Sequence, residues 1–153
     1  MDPDPTSLKP AAPDDASEIA DLYLASRADA LPYLPRLHTD EEVRSWIAGT
    51  VMRRCRVWIV CRDGRVVGFL ALDGDELDQL YLMPGHYRQG IGSRLVAMAK
   101  QESPGRLRLF TFQRNARARA FYEAHGFQIV DLNDGSRNEE CEPDVRYEWT
   151  VTP

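Results

Sequence analysis

The feature that most constrains the fold of this chain is a short loop in which two glycines flank one apolar residue, between a predicted strand and a predicted helix. Because Gly90 and Gly92 carry no Cβ, backbone N–H groups of the loop can approach a bound anion closely. The first turn of the following helix adds unpaired N–H donors and the positive end of the helix dipole. Arg88 adds a full positive charge beside them, so the loop is suited to bind a pyrophosphate.

Two other kinds of phosphate-binding loop do not fit this segment. A Walker loop requires Lys after the second glycine of G-x-x-x-x-G; Gly85 and Gly90 have that spacing, but Ile91 occupies the Lys position. A dinucleotide-binding fingerprint requires a third glycine three residues after G-x-G, and Leu95 stands there. Taken alone, G-x-G is a weak signal, because a tight strand-to-helix turn produces the same pattern.

The sequence before the loop predicts a strand, two helices and then three strands. A short strand near Leu8 precedes a helix that begins at residues 13–15, where Pro and Asp favour a helix start. A capping box formed by Thr39 and Glu42 predicts the start of the second helix. Apolar runs separated by turn residues then predict an antiparallel meander over residues 57–82.

The sequence after the loop predicts two helices that alternate with strands. Pro104 and Gly105 end the first of these helices, and the second spans roughly residues 116–125, with Gly126 placed to cap its C-terminus. The predicted strands of this half are residues 107–112, 127–132 and 145–151. Together these elements predict an α+β fold, a mostly antiparallel sheet with helices inserted between its strands along the chain.

Charge and composition exclude several classes of protein. The net charge of -5 argues against a nucleic-acid partner and mildly favours a cationic or amine substrate. No apolar run approaches the roughly 20 residues that span a bilayer, and the N-terminal residues lack a signal-peptide pattern. The three cysteines, Cys55, Cys61 and Cys141, form no C-x-x-C pair, so no metal site or disulfide framework is predicted. Reduced thiols fit a cytoplasmic protein.

A second segment makes the interpretation of the glycine loop far more specific, because two motifs occur in a fixed order. Asn115, Ala120, Tyr122 and Gly126 follow the loop with the order N…A…FY…GF. Together with the strand, Pro and loop of LYLMPGHYRQGIGSRLV, this order resembles the GCN5-related N-acetyltransferase (GNAT) superfamily, over roughly residues 7–151. One departure is that Tyr87 occupies the first position of the superfamily motif Q/R-x-x-G-x-G/A.

The resemblance implies a fold and an activity. The implied fold is α+β, with a mostly antiparallel, six- to seven-stranded mixed sheet and about four flanking helices. We expect one N-acetyltransferase domain over residues 7–153, behind a disordered segment at residues 1–6. The implied activity is transfer of an acetyl group from acetyl-CoA to a primary amine of a small molecule or peptide, directly within a ternary complex. A non-catalytic acyl-CoA sensor is the alternative, and a homodimer would be ordinary.

The resemblance also implies a donor site between two splayed strands. The backbone of residues 80–82 would bind the pantetheine, and an N–H near Leu82 would polarise the thioester carbonyl. Tyr122 would protonate the departing thiolate, although it could instead be a packing residue. Asn115 would contact the pantetheine, cap a helix, or do both. The residues expected to contact acetyl-CoA are Leu80, Tyr81, Leu82, Arg88, Gln89, Gly90, Ile91, Gly92, Ser93, Asn115 and Tyr122.

The general base and the acceptor pocket are less defined by sequence. Many members of the superfamily have a Glu in the fifth strand, but this chain has no acid there before Asn115. The resemblance to members that place a Glu on the fourth strand instead implies Glu76, six residues before Leu82, as the base, with Asp78 on the same strand face as the second choice. Both could equally be exposed hairpin carboxylates. A third option is the acidic loop that holds Glu139, Glu140 and Asp144. In the superfamily the region between the first two helices often lines the acceptor pocket, so the resemblance implies that Tyr33, Arg36, His38 and Asp78 contact the acceptor.

Overall fold

The computed structural model describes residues 6–152, which form a seven-stranded sheet with helices on both faces. The strands are β1 (Thr6–Pro10), β2 (Arg56–Arg62), β3 (Arg65–Asp73), β4 (Glu76–Leu82), β5 (Arg106–Phe112), β6 (Gln128–Asn133) and β7 (Asp144–Thr150). The helices are α1 (Ala16–Ala30), α2 (Asp40–Trp46), α3 (Met52–Arg54), α4 (Ile91–Glu102) and α5 (Ala116–Ala124). A 3₁₀ turn at Pro13–Asp15 precedes α1, and a π-helical turn at Ile47–Val51 joins α2 to α3. No helix in this part of the chain is long and apolar enough to cross a membrane.

The predicted α+β fold is confirmed. The strand order is β1-β2-β3-β4-β5-β7-β6, and every neighbouring pair is antiparallel except β4 and β5, which are parallel. The meander predicted over residues 57–82 is β2, β3 and β4, and the capping box of Thr39 and Glu42 starts α2. Of the residues predicted to be disordered, 1–5 lie outside the described part of the chain, and Thr6 begins β1.

The two parallel strands in the centre of the sheet are joined at one end. Glu76 of β4 pairs with Arg108 of β5, and the Arg108 N–H donates to the Asp75 carbonyl at 2.8 Å. No later residue of β4 pairs with β5 in the described chain, so the C-terminal ends of the two strands diverge. Residues 80–82 are only partly buried although β4 is central, which indicates an open gap beside them.

Helices cover both faces of the sheet, so two apolar cores form. The side chains of β3 alternate between them: Val67 and Leu70 pack with α4 and α5, whereas Val66 and Phe69 pack with α1 and α2. Because both faces are covered, β3 is a nearly continuous apolar run rather than an alternating one. This arrangement leaves the β4–β5 gap between one helical layer and the other.

Gly68 allows α4 to pack closely on the sheet. A Cβ at this position would lie 3.0 Å from Leu82 Cδ2, 3.1 Å from Ile91 Cγ2 and 3.3 Å from Leu95 Cδ1. All three neighbours are side-chain methyl groups, one from the end of β4 and two from the first turns of α4. The glycine therefore helps to fix where α4 begins relative to the gap.

We predict that Gly68→Ala destabilises the protein. The added methyl group would lie 3.0–3.3 Å from three side chains that must shift to admit it, and overpacking of this kind costs about 1–3 kcal/mol of unfolding free energy. Urea unfolding followed by circular dichroism measures the change. Gly49→Ala is the matched control, because a Cβ there has no neighbour within 4 Å. Equal stability of the two variants would show that α4 does not depend on the close approach.

Candidate active site

The open end of the gap exposes the backbone of β4 to a ligand. The Met83 N–H donates to the Val67 carbonyl of β3 at 2.8 Å. Since successive residues of a strand point to opposite sides, the Leu82 N–H points away from β3 and into the gap. An extended ligand could therefore pair with the free edge of residues 80–82 in the manner of an added strand. This is where the sequence predicts the pantetheine-binding backbone.

The glycine loop offers a candidate anion site at the start of α4. Gly90 is the N-cap residue with φ 81° and makes no side-chain cap, so the first N–H groups of α4 have no side-chain acceptor. Arg88 also has a positive φ of 61°, and such turns collect N–H groups on one side of the backbone. Its exposed guanidinium has no hydrogen bond or ion pair with another residue of 6–152. The loop thus presents amides and a free cation together.

The two loop glycines are required for different reasons. A Cβ on Gly90 would meet nothing within 4 Å, so the left-handed backbone is what favours glycine there. A Cβ on Gly92 would lie 3.1 Å from the Phe121 ring, so the absence of a side chain allows α5 to pack against the first turn of α4. Neighbouring glycines therefore set both the backbone conformation of the loop and the packing of α5 against the start of α4.

Side chains tie the loop to its surroundings. The Arg62 guanidinium donates to the Gln89 side-chain oxygen, and the Tyr87 hydroxyl donates to Asp29 of α1 at 3.1 Å. The Arg117 guanidinium of α5 lies over the Tyr87 ring, 4.7 Å from its centroid. Tyr87, the departure from the superfamily motif, thus connects the loop to both α1 and α5.

His125 supports the same region from the end of α5. Its Nε2 lies 3.0 Å from the Ser93 hydroxyl of α4, and its Nδ1 lies 2.8 Å from the Phe121 carbonyl oxygen. Lys100 of α4 donates to the His125 carbonyl at 2.6 Å. These bonds fasten α4, near both of its ends, to the end of α5.

Tyr122 lies inside the core beside the gap. It is 8 % exposed, and its ring packs edge-on against Phe121 and Phe127 with centroid distances of 5.2 and 5.5 Å. Its hydroxyl makes no hydrogen bond with any residue of 6–152. Burial raises the pKa of Tyr122 well above its usual value, so the phenol keeps its proton throughout the neutral range. A buried, protonated and unpaired donor is suited to give a proton to a ligand.

Asn115 caps α5, as one of the two alternatives predicted. Its Oδ1 accepts from the Ala118 N–H at 3.2 Å. Its side-chain amide nitrogen donates to no residue in the described part of the chain, so that group is left for a ligand at the C-terminal end of β5. Capping and ligand contact are therefore compatible.

The predicted base, Glu76, lies at the closed end of the gap. Its Oε2 accepts from Arg146 at 3.0 Å, and its Oε1 accepts from the other terminal nitrogen of the same guanidinium. Arg146 in turn stacks on the Phe110 ring at 4.2 Å. Both carboxylate oxygens are thus held in a bidentate ion pair beside the point where β4 and β5 are joined. This position gives no support to the prediction that Glu76 receives the amine proton.

Asp78 occupies a β-bulge on β4 and is exposed. Its carboxylate accepts from the Gln79 amide at 3.1 Å and lies 3.8 Å from the Cys55 sulfur. The bulge breaks the period of two on which its predicted alignment with Glu76 depended. Within residues 6–152, no three His, Cys, Asp or Glu side chains are grouped so that they could hold a metal ion.

A cavity of about 1030 Å³ lies on the other side of the gap, between α1, α2, the segment 31–38 that joins them, and the β6–β7 loop. Of the residues predicted to contact the acceptor, Arg36 and His38 line this cavity, and Tyr33 and Asp78 do not. Tyr33 instead lies under the Arg114 guanidinium at 4.0 Å, and its buried hydroxyl has no hydrogen-bond partner in the described chain. Tyr33 therefore supports the wall of the cavity from outside.

The wall of the cavity nearest the gap consists of aromatic residues and one ion pair. Tyr23 packs edge-on against Trp46 and Tyr81, with ring centroids 5.3 and 5.0 Å away. Arg27 donates to the Tyr23 hydroxyl at 2.9 Å and to Glu140 at 3.1 Å. Tyr81 belongs to the gap-lining part of β4 but does not line the cavity, so this cluster lies between the cavity and the gap. In the sequence, the only indication of this cluster is the i, i+4 spacing of Tyr23 and Arg27, which places them on one face of a helix.

Comparison with known proteins finds one family and many similar folds. The family described as "Acetyltransferase (GNAT) domain" matches residues 53–129. Peptidyl-lysine N-acetyltransferase YiaC of Escherichia coli is 29 % identical over 114 residues, which cover 74 % of this chain and 77 % of YiaC. The solution structure of the apo form of YjaB from Escherichia coli has a TM-score of 0.80 at 20 % identity, covering 96 % of this chain and 99 % of YjaB.

A third comparison concerns a structure with a bound ligand. The crystal structure of the PaiA N-acetyltransferase from Thermoplasma acidophilum in complex with coenzyme A has a TM-score of 0.71 at 19 % identity. The match covers 95 % of this chain and 99 % of PaiA. At this identity the likeness concerns the fold alone.

We predict that Glu76→Gln destabilises the fold. A neutral amide cannot satisfy the Arg146 guanidinium in a bidentate manner, and loss of such a partner costs about 1–3 kcal/mol. Chemical unfolding measures the change, with Asp14→Asn, an exposed carboxylate, as a control expected to stay within about 0.5 kcal/mol of the native protein. An unchanged midpoint for Glu76→Gln would contradict the structural role of the pair.

Proposed function

The chain belongs to the GNAT acetyltransferase family, and from this premise we propose that the β4–β5 gap binds acetyl-CoA while the cavity beside it binds the amine. The protein is an acetyl-CoA-dependent N-acetyltransferase. The observation that carries the proposal is the single residue pairing between β4 and β5, which leaves the centre of the described sheet open. The Tyr23 ring, which lines the cavity, contacts the Tyr81 ring of β4, and this proximity supports direct transfer with both ligands bound in a ternary complex.

The proposed donor site consists of groups that have no hydrogen-bond partner within residues 6–152. Acetyl-CoA supplies a thioester-activated acetyl group and an anionic diphosphate. The N–H groups at the start of α4 and the Arg88 guanidinium hold the diphosphate, and the backbone of residues 80–82 pairs with the pantetheine. The Leu82 N–H, which points into the gap, polarises the acetyl carbonyl. The Asn115 amide nitrogen contacts the pantetheine from the β5 side.

Tyr122 is the general acid of this proposal. Its phenol is buried, keeps its proton and has no hydrogen bond to another described residue. Tyr122 also lies close enough to Tyr81 of β4 to affect it: burial raises the pKa of Tyr81, and the Tyr122 phenol adds a smaller rise. A proton given to the departing sulfur from this position prevents the build-up of thiolate in a poorly solvated site.

The acceptor of this proposal is a primary amine, and a lysine side chain of a peptide is the leading candidate. The relative YiaC carries the name of a peptidyl-lysine N-acetyltransferase. The cavity walls include four acidic side chains, Asp40, Glu42, Glu139 and Glu140. Acids of this number attract a cationic substrate by long-range steering. His38, which lies 2.8 Å from Glu139, contacts the acceptor near the cavity mouth.

We predict that Tyr122→Phe lowers turnover and leaves the donor affinity intact. Thiol release from acetyl-CoA with a panel of primary amines should show kcat reduced about 100-fold, because the departing sulfur loses its proton donor. The affinity for CoA should stay within about twofold by calorimetry. Stability should not fall, since the lost hydroxyl has no hydrogen bond within residues 6–152. Unchanged kcat would refute the role of Tyr122, and absence of CoA binding by the native protein would refute the donor site.

A homodimer through strand β6 is a further part of the proposal. β6 is an edge strand, and Ile129, Val130 and Leu132 are 43–59 % exposed on it. Identical edge strands can pair across a two-fold axis and bury such side chains. Sedimentation equilibrium should show a dimer for the native chain and a monomer for Leu132→Lys. A native monomer at all concentrations would contradict this arrangement.

We also propose that the protein acts in the cytoplasm. Cys55, Cys61 and Cys141 are all free thiols, which suits a reducing compartment. Cell fractionation with an antibody to the protein tests the location, and recovery in an oxidising compartment would contradict it.

A further inference from the structure

Glu140 presents an unused carboxylate oxygen at the cavity. Its Oε1 accepts from Arg27 at 3.1 Å, and its Oε2 accepts no hydrogen bond from any residue of 6–152. The side chain is 15 % exposed and lines the cavity, and Oε2 is not among the polar atoms sealed from solvent without a partner. A ligand in the cavity can therefore reach this oxygen directly.

The orientation of Glu140 is fixed before any ligand arrives. Arg27 holds it from α1, and Arg27 is itself held by the Tyr23 hydroxyl at 2.9 Å and lies over the Tyr23 ring. Tyr23 is in turn packed between Trp46 and Tyr81. A carboxylate positioned in this way needs no rearrangement when a substrate binds, which is the usual requirement for a catalytic group.

The other cavity acids are occupied and more exposed. Glu139 is 67 % exposed and bonds to His38, Asp40 pairs with Arg36, and Glu42 completes the capping box of α2. The acids first predicted for the base, Glu76 and Asp78, do not line the cavity. Glu140 is the acid that shares a contact cluster with Tyr81, through Arg27 and Tyr23.

We propose that Glu140 is the proton acceptor for an alkylammonium substrate, an inference that rests on the proposed function. The ammonium gives one proton to Glu140 Oε2, and the neutral nitrogen forms a bond to the acetyl carbonyl carbon. The carbon–sulfur bond breaks, and the sulfur takes the phenolic proton of Tyr122. The nitrogen loses its second proton, which restores the phenol through solvent, and Glu140 releases its own proton to solvent. The amide, the free thiol and one proton are the products.

The chemistry of the wall favours an alkyl stem behind the ammonium. The aromatic rings of Tyr23 and Trp46 line the same cavity as Glu140, and such rings attract an ammonium group and cover a methylene chain. Leu24 and Leu31 extend the apolar wall from α1. A lysine side chain or a free alkyl diamine has these properties, whereas an aromatic amine has neither the charge nor the flexible stem.

The test compares Glu140→Gln with Glu142→Gln. Glu142 lies in the same loop, is also paired with an arginine, Arg114, and is 12 % exposed, but it does not line the cavity. With a blocked lysine peptide as acceptor, Glu140→Gln should lower kcat about 100-fold or more, and Glu142→Gln should stay within about threefold of the native enzyme. Calorimetry with CoA present should show weaker peptide binding to Glu140→Gln and unchanged CoA affinity.

A second acceptor separates proton transfer from structural support. Trifluoroethylamine is largely unprotonated at neutral pH, so its acetylation needs no carboxylate to receive a first proton. The difference between Glu140→Gln and the native enzyme should shrink to less than about tenfold with this amine. Equal losses with both amines, or native turnover of the lysine peptide by Glu140→Gln, would overturn the assignment. Native protein that binds CoA but acetylates neither amine would instead contradict the proposed function.

Discussion

One hydrogen-bonded contact between two parallel strands governs the rest of this structure. Where the Arg108 N–H reaches the Asp75 carbonyl, β4 and β5 are joined, and beyond it they separate. The ion pair between Glu76 and Arg146 strengthens the joined end, so the strands diverge from a fixed point. A normal sheet would satisfy the backbone of residues 80–82 internally and leave nothing for a ligand. The unpaired edge of residues 80–82 is thus left to pair with solvent or with a ligand.

Two opposite charge environments meet at this opening. The glycine loop collects helix N–H groups and Arg88, and it is suited to a diphosphate, whereas the cavity beyond Tyr81 carries an excess of carboxylates. The net charge of -5 describes neither of these environments, because each depends on a few side chains placed close together. Tyr122 and Tyr81 lie at the boundary, where burial keeps both phenols neutral by raising their pKa. The two neutral phenols thus lie between the cationic glycine loop and the acidic cavity.

Local patterns in the sequence predicted the local structure well. The capping box at Thr39, the meander over residues 57–82 and the glycine loop all depend on residues close in sequence. Contacts between distant segments were not predictable in this way: Glu140 meets Arg27 across 113 residues, and Glu76 meets Arg146 across 70. Glu76 was predicted to lie on β4, and it does, but only the fold reveals that an arginine from β7 pairs with its carboxylate. Hence the position of the glycine loop at the start of a helix could be derived from sequence, and the choice among acids could not.

The bridge made by Tyr87 connects the two ligand sites through α1. Its hydroxyl bonds to Asp29, which lies two residues from Arg27 on the same helix, so one helical turn contacts both the anion loop and the amine cavity. If binding of a diphosphate at the glycine loop shifts this helical turn, the affinity of the cavity for an amine must change as well. Thermodynamic linkage then requires that the second ligand alter the affinity for the first by the same factor. Cooperative loading of the two substrates would thus originate in a tyrosine at the position where the superfamily motif has Gln or Arg.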